Sequence, residues 1–237
     1  MSWKEHDIFN DLDKVDTSGA LGRGVYALIE VARLTGLPPG RVREWFGGRT
    51  DRRGRGPVLN GDYAPVNGQV AVSFLDLVDV LVAGQLRELG VSLQTVRRVY
   101  AILRTTLQTR HPFSHRGLFS DGKRVFHLSA DEAGDQFLVD LLARQQVFVD
   151  VLLPYLKQID YSPETKLAER WRIAPGVVVD PQRCFGKPIV ADWGVTTHVI
   201  AAAVEANERS IDKVATIFNM DPRLVQNAVE FEARIAA

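Results

Sequence analysis

One glycine constrains this chain more than any other residue. Gly36, in EVARLTGLPPGRVREW (residues 30–45), separates two short segments of helical period. Leu28, Val31 and Ala32 fall on one face of the first segment; Val42, Trp45 and Phe46 share a face of the second. Pro38 and Pro39 suit the opening turn of a helix, where a missing N–H costs nothing, and Gly47-Gly48 ends it. The spacing predicts two short helices and a tight turn, the outline of a helix-turn-helix. With Val42 and Trp45 turned inward, Gly40, Arg41, Arg43 and Glu44 face outward or flank the core.

Reading DNA requires cations, and the whole chain has none in excess: 29 Lys plus Arg balance 29 Asp plus Glu. The positive charge is local. Between positions 41 and 55 stand Arg41, Arg43, Arg49, Arg52, Arg53 and Arg55 against Glu44 and Asp51, so six cations less two anions leave this window at +4. In a DNA-binding helix-turn-helix the second helix enters the major groove, and the two-pronged donor fork of Arg fits guanine O6 and N7. Arginines set between glycines can follow the phosphate backbone. These six are the candidate DNA contacts. The plainer alternative is a solvated basic loop beside a structural helix pair; a basic loop also suits RNA or an acidic protein.

Residues 1–24, acidic to Asp16 and then glycine-rich, read as a flexible tail. RTDRRGRGPVLNGDYAPVNGQVAVSF (residues 49–74) reads as a long β-hairpin or wing, with apolar runs at Val58-Leu59 and residues 69–72. Ser73 and Asp76 cap a helix that ends at Gly90, and Ser92 caps another that closes at His111-Pro112. Asp121-Gly122 marks a hairpin. Ser129 and Glu132 open a long helix to about Tyr155, whose apolar face could pair with its own copy or fill the chain's core. Ser162-Pro163-Glu164 reads as a linker. GVVVDP and KPIVADWGV read as short strands, followed by helices capped at Thr196 or Thr197, at Ser210 and at Asp221-Pro222. The expected organisation is a tail (1–24), a winged helix-turn-helix domain (25–128), a connecting or dimerisation helix with linker (129–164), and a second small helix-turn-helix-like domain (165–237). The fold class is mainly α with small β-wings.

Several positions match known families. Residues 26–37, YALIEVARLTGL, with Arg43-Glu44-Trp45 and residues 85–97, QLRELGVSLQTVR, resemble the winged helix-turn-helix of MerR-type regulators over about residues 25–110. Two features depart from that pattern: the wing is longer, and Pro38-Pro39 stands where a capping Ser is common, which makes Arg43 a firmer base contact than Arg41. Asp180-Pro181, Cys184, Gly186-Lys187-Pro188-Ile189 and residues 195–206 resemble a prokaryotic domain frequent in small antitoxins, over about residues 172–237. Asp192-Trp193-Gly194 replaces that family's Gly-Thr-Arg. Joined, the two parts resemble a VapB-type antitoxin of mycobacterial kind. The resemblance implies a VapC-type PIN-domain ribonuclease toxin as partner, whose acidic active site an Arg could meet. It also implies repression of the chain's own operon through double-stranded operator DNA. A stand-alone MerR-type regulator responding to a small ligand is the alternative.

Other patterns lead nowhere. Gly186-Lys187 lacks the phosphate-loop spacing. Cys184, the one cysteine, has no His at metal-ligand spacing, and His111 and His115 are separated by Pro112, so neither a metal site nor a cofactor is expected. From Glu205 to the end six acids face four bases, which leaves Gln226 and Asn227 on a surface that phosphate would repel. No enzyme is expected. A single cysteine and an acidic N-terminus without an apolar signal core fit a soluble cytoplasmic protein, with no membrane partner. A homodimer is expected, its recognition helices ~34 Å apart on one DNA face.

Overall fold

The computed structural model describes residues 22–47, 57–65, 68–118 and 152–236. They form a mainly helical protein with two small antiparallel sheets. Among them no helix is long and apolar enough to cross a membrane.

The chain enters through a short strand. β1 (Tyr26–Ala27) pairs antiparallel with β2 (Ala71–Val72), Tyr26 opposite Val72. The helix therefore begins at Leu28, as α1 (Leu28–Thr35), after Tyr26 and Ala27 have been taken into the strand. The Glu30 carboxylate accepts the Ala27 N–H at 2.8 Å and fixes that start. Gly36 ends α1 in the left-handed region at φ 73°, a conformation that costs a residue without Cβ nothing. Pro38 caps α2 (Pro39–Trp45), with Pro39 in its first turn. α3 (Phe74–Glu88) is the central helix, opened by a complete Ser73–Asp76 capping box and buried on nearly every side from Phe74 to Leu86. Ser92 caps α4 (Leu93–Thr106), which presents Val96, Val99, Tyr100 and Leu103 to the core. Leu37 lies on α3 where Gly84 has no side chain: a Cβ there would stand 2.8 Å from Leu37 Cδ1.

The structure departs from the sequence-based expectation at three places. The tail does not run to residue 24: the Arg23 carbonyl accepts the Phe74 N–H at 2.8 Å, and Gly24 is buried and accepts from the Tyr63 hydroxyl; residues 1–21 lie outside the described residues. The expected hairpin of residues 49–74 is not formed by the described part. Val58 and Leu59 are buried but sit in no strand, because both their amides bind the Trp45 carbonyl, and β2 takes β1 as its partner. Ser162-Pro163-Glu164 is the turn of a hairpin rather than a linker. β3 (Ile159–Tyr161) pairs with β4 (Ala168–Ala174), and the Ser162 hydroxyl accepts the Thr165 N–H inside the turn. The Asp121-Gly122 hairpin and most of the 129–155 helix lie outside the described residues. Residues 152–156 are helical, and Leu152 and Leu156 are buried in the chain's own core.

β4 continues into β5 (Val177–Val179) and β6 (Pro188–Val190), completing the sheet order β3-β4-β5-β6. Trp171 and Ile173 face inward from β4 while Glu169, Arg170 and Arg172 face out. The last three helices follow their predicted caps: α5 (Thr197–Ala206) from Thr196, α6 (Ile211–Phe218) from Ser210, and α7 (Pro222–Ala236). One core runs from Tyr26 through α3, α4 and the sheet to Phe231 on α7. A smaller one fills the space between β6, α5, α6 and α7.

Candidate nucleic-acid interface

α2 separates its residues into two sets. Val42 and Trp45 are 0% and 1% exposed, which fixes the helix in the core. Pro38, Pro39, Gly40, Arg41, Arg43 and Glu44 are all exposed. Neither Arg41 nor Arg43 makes an ion pair among the described residues, so both guanidinium groups are presented to solvent. Arg49, Arg52, Arg53 and Arg55 lie outside the described residues. The ends of their segment do not. The Trp45 carbonyl, one of the acceptors a helix C-terminus leaves open, accepts from Val58 N–H at 2.9 Å and Leu59 N–H at 3.0 Å. A Cβ on Gly47 would lie 3.5 Å from Pro57. The basic segment thus leaves and rejoins the fold at the end of α2.

Three residues beyond Leu59, Asp62 joins an ionic cluster that the sequence did not disclose. His111 is 4% exposed, and each ring nitrogen meets a carboxylate: Nδ1 stands 3.1 Å from Asp79 Oδ2 and Nε2 3.1 Å from Asp62 Oδ1. Carboxylates only accept, so both nitrogens donate and the ring is an imidazolium. Asp79 is fully engaged, taking the Ser114 N–H and hydroxyl on one oxygen and the Tyr100 hydroxyl and His111 on the other. Asp76 takes the amides of Ser73 and Asp62 on Oδ2, and its Oδ1 stands 3.6 Å from His111 Nδ1. Burial works to lower the His111 pKa, but its bonds to Asp62 and Asp79 hold it at about 10. For Asp62 burial pushes upward, yet the bond to His111 brings it to about 2. Burial lifts Asp76 to about 6 against its two backbone donors.

Asp62, Asp76 and His111 also place possible metal-ligand atoms within 4.8 Å of one another. A cation there would have to displace a proton that already bonds a carboxylate. The sequence weighed His111 against His115; the structure groups it instead with three aspartates distant in sequence. Asp62 had a bland local role in a turn, Asp76 in a cap, Asp79 inside a helix and His111 before a proline, so no spacing signalled the group.

The C-terminal half holds the remaining candidates. Gln226 donates to Glu230 at 2.7 Å along the exposed face of α7. Cys184 is exposed and its thiol donates to the Gly194 carbonyl at 3.3 Å. Cys184, Phe185 and Gly186 all have positive φ, at 47°, 55° and 82°, and Phe185 is 65% exposed. The loop is fastened to the N-terminal half: the Tyr26 hydroxyl donates to the Gly186 carbonyl at 2.8 Å and the Val25 N–H to the Phe185 carbonyl at 3.3 Å.

No protein-family model matches the chain. It is 24% identical over 224 residues to a Mycobacterium tuberculosis protein named "Putative antitoxin VapB45", with 87% of this chain and 92% of that protein covered. A second protein of that organism, "Uncharacterized protein Rv2308", is 23% identical over 235 residues, covering 92% and 93%. The crystal structure of Rv2018 from Mycobacterium tuberculosis shares the fold, at a TM-score of 0.70 and 24% identity, covering 86% of this chain and 96% of that one.

Proposed function

We propose that this chain is the antitoxin of a type II toxin–antitoxin module. It binds and neutralises a VapC-type PIN-domain ribonuclease and, as a homodimer, binds operator DNA to repress its own operon. It carries out no catalysis itself. The likeness to the VapB45 relative extends over nearly the whole of both chains and supports the antitoxin reading. The geometry supports DNA binding through one observation: α2 is fixed by buried Val42 and Trp45 while Arg41 and Arg43 project outward.

Chain length limits the segment between the anchors at Gly47 and Pro57 to a reach of about 17 Å. That is comparable with the ~12 Å width of a major groove, so its four arginines suit phosphates flanking a groove that holds α2. With four such contacts per chain, and so eight per dimer, raising salt from 50 to 200 mM lowers affinity by roughly 10,000-fold.

A mobility-shift titration on DNA upstream of the chain's own gene, at those two salt levels and with and without the neighbouring gene product, tests the reading. Salt-sensitive binding and stoichiometric co-purification of a nuclease are the expected results. DNA binding that responds to a small ligand, with no nuclease partner, would establish the stand-alone regulator instead.

A further inference from the structure

We infer that His111 is a positioning residue for α2, acting through Asp62; the inference rests on the DNA-binding reading. His111 is buried and cannot itself meet DNA. Its backing is rigid. Three residues on, Ser114 gives its N–H to Asp79 of α3 and shares its hydroxyl between Asp79 and the Leu75 carbonyl of the same helix. The same segment is tied to the sheet, with Arg116 N–H on the Lys166 carbonyl at 2.8 Å and Ala168 N–H on the Ser114 carbonyl at 2.9 Å. The imidazolium is therefore held from one side by the central helix and from the other by the approach to β4.

Asp62 is what it holds. Besides His111, the Asp62 carboxylate takes the Ser73 hydroxyl at 2.8 Å, and its amide donates to Asp76. Arg110, exposed, reaches the Gly61 carbonyl at 3.4 Å and Asp62 Oδ1 at 3.6 Å. Three residues before Asp62 is Leu59, whose amide, with that of Val58, closes the end of α2 on the Trp45 carbonyl. From the imidazolium to the last turn of α2 there is one short stretch of chain, fastened at both ends. Removing the charge at Asp62 loosens the distal fastening, so the end of α2 keeps its apolar face and the Val58 and Leu59 amides but loses the ionic support behind them.

The test uses the full chain with Asp62→Asn, and Asp62→Glu as the conservative variant. Amide hydrogen exchange at Val58 and Leu59 should rise by about tenfold in Asp62→Asn, while exchange in β4 and β5 stays at wild-type rates. Operator affinity should fall by about tenfold, and the slope of log K against log salt should lose at least ~1, because a displaced helix drops phosphate contacts. Asp62→Glu should recover part of both. A variant that merely unfolds more often would lower apparent affinity and leave the slope unchanged, and that result overturns the proposal. So does unchanged exchange at Val58 and Leu59. A wild-type chain that binds no DNA removes the DNA reading and the positioning role with it, while the exchange measurement still decides whether Asp62 fastens the segment.

Discussion

At the scale of single residues, His111 sets the pH response. Its folded pKa, about 10, lies above the ordinary value of 6.5, so folding favours the protonated ring. The stability it contributes is complete below about 6.5 and is lost as pH rises toward 10. Asp76, raised to about 6, acts in the same direction over a lower range: its charged form is disfavoured on folding, so the chain is more stable with Asp76 protonated. Asp62, lowered to about 2, adds stability present above 3.8 and lost only in strong acid. Thermal midpoints should therefore decline between pH 7 and 9.5, by an amount equivalent to a few kcal/mol. His111→Ala should flatten that decline and cost about 3–5 kcal/mol at pH 7, because it leaves buried carboxylates unpaired; urea titration at each pH measures both. On α2, Arg43→Ala with Arg52→Ala should weaken operator binding by at least about tenfold without lowering the melting temperature. The exposure of Arg43 was legible in the sequence because the inward residues Val42 and Trp45 flank it. The aspartates around His111 were not, because they meet only after the chain has folded across α3.

Among elements, those with local signals were readable and those defined by a distant partner were not. Thr196, Ser210 and Pro222 begin their helices where the side-chain chemistry places them. β4 escaped notice because AERWRIA carries three charged residues and does not alternate cleanly, and its partner β3 is only three residues long. The segment 57–65 carries hairpin-like residues, yet its amides are consumed by Trp45 and its carboxylate by His111. Ser73 serves two elements at once: it caps α3 by accepting the Asp76 N–H and donates its hydroxyl to Asp62. Ser73→Ala should cost about 2–3 kcal/mol, the loss of a cap together with a charge-assisted hydrogen bond, where an ordinary exposed cap costs about 1. Chemical denaturation, compared with Ser210→Ala at the more exposed cap of α6, measures the difference.

For the whole molecule the decisive feature is a core shared between the two halves, from Tyr26 to Phe231. The sequence suggested separable domains because its motifs cluster at the two ends; the burial of Trp171, Val177 and Phe231 with α3 and α4 could not be seen from either end. One junction is sharp enough to test. A Cβ on Gly186 would stand 2.2 Å from the Tyr26 hydroxyl, at φ 82°. Gly186→Ala should destabilise by about 2–4 kcal/mol through strain and overlap, and Tyr26→Phe by about 1 through the lost hydrogen bond, both read as shifts in calorimetric midpoint. Cys184, two residues before that glycine, has a practical value. As the chain's sole thiol, and a solvent-facing one, Cys184 accepts a maleimide dye at a single defined spot without any engineering. Energy transfer from that dye to a labelled duplex would then report the distance and orientation at which the two polymers meet.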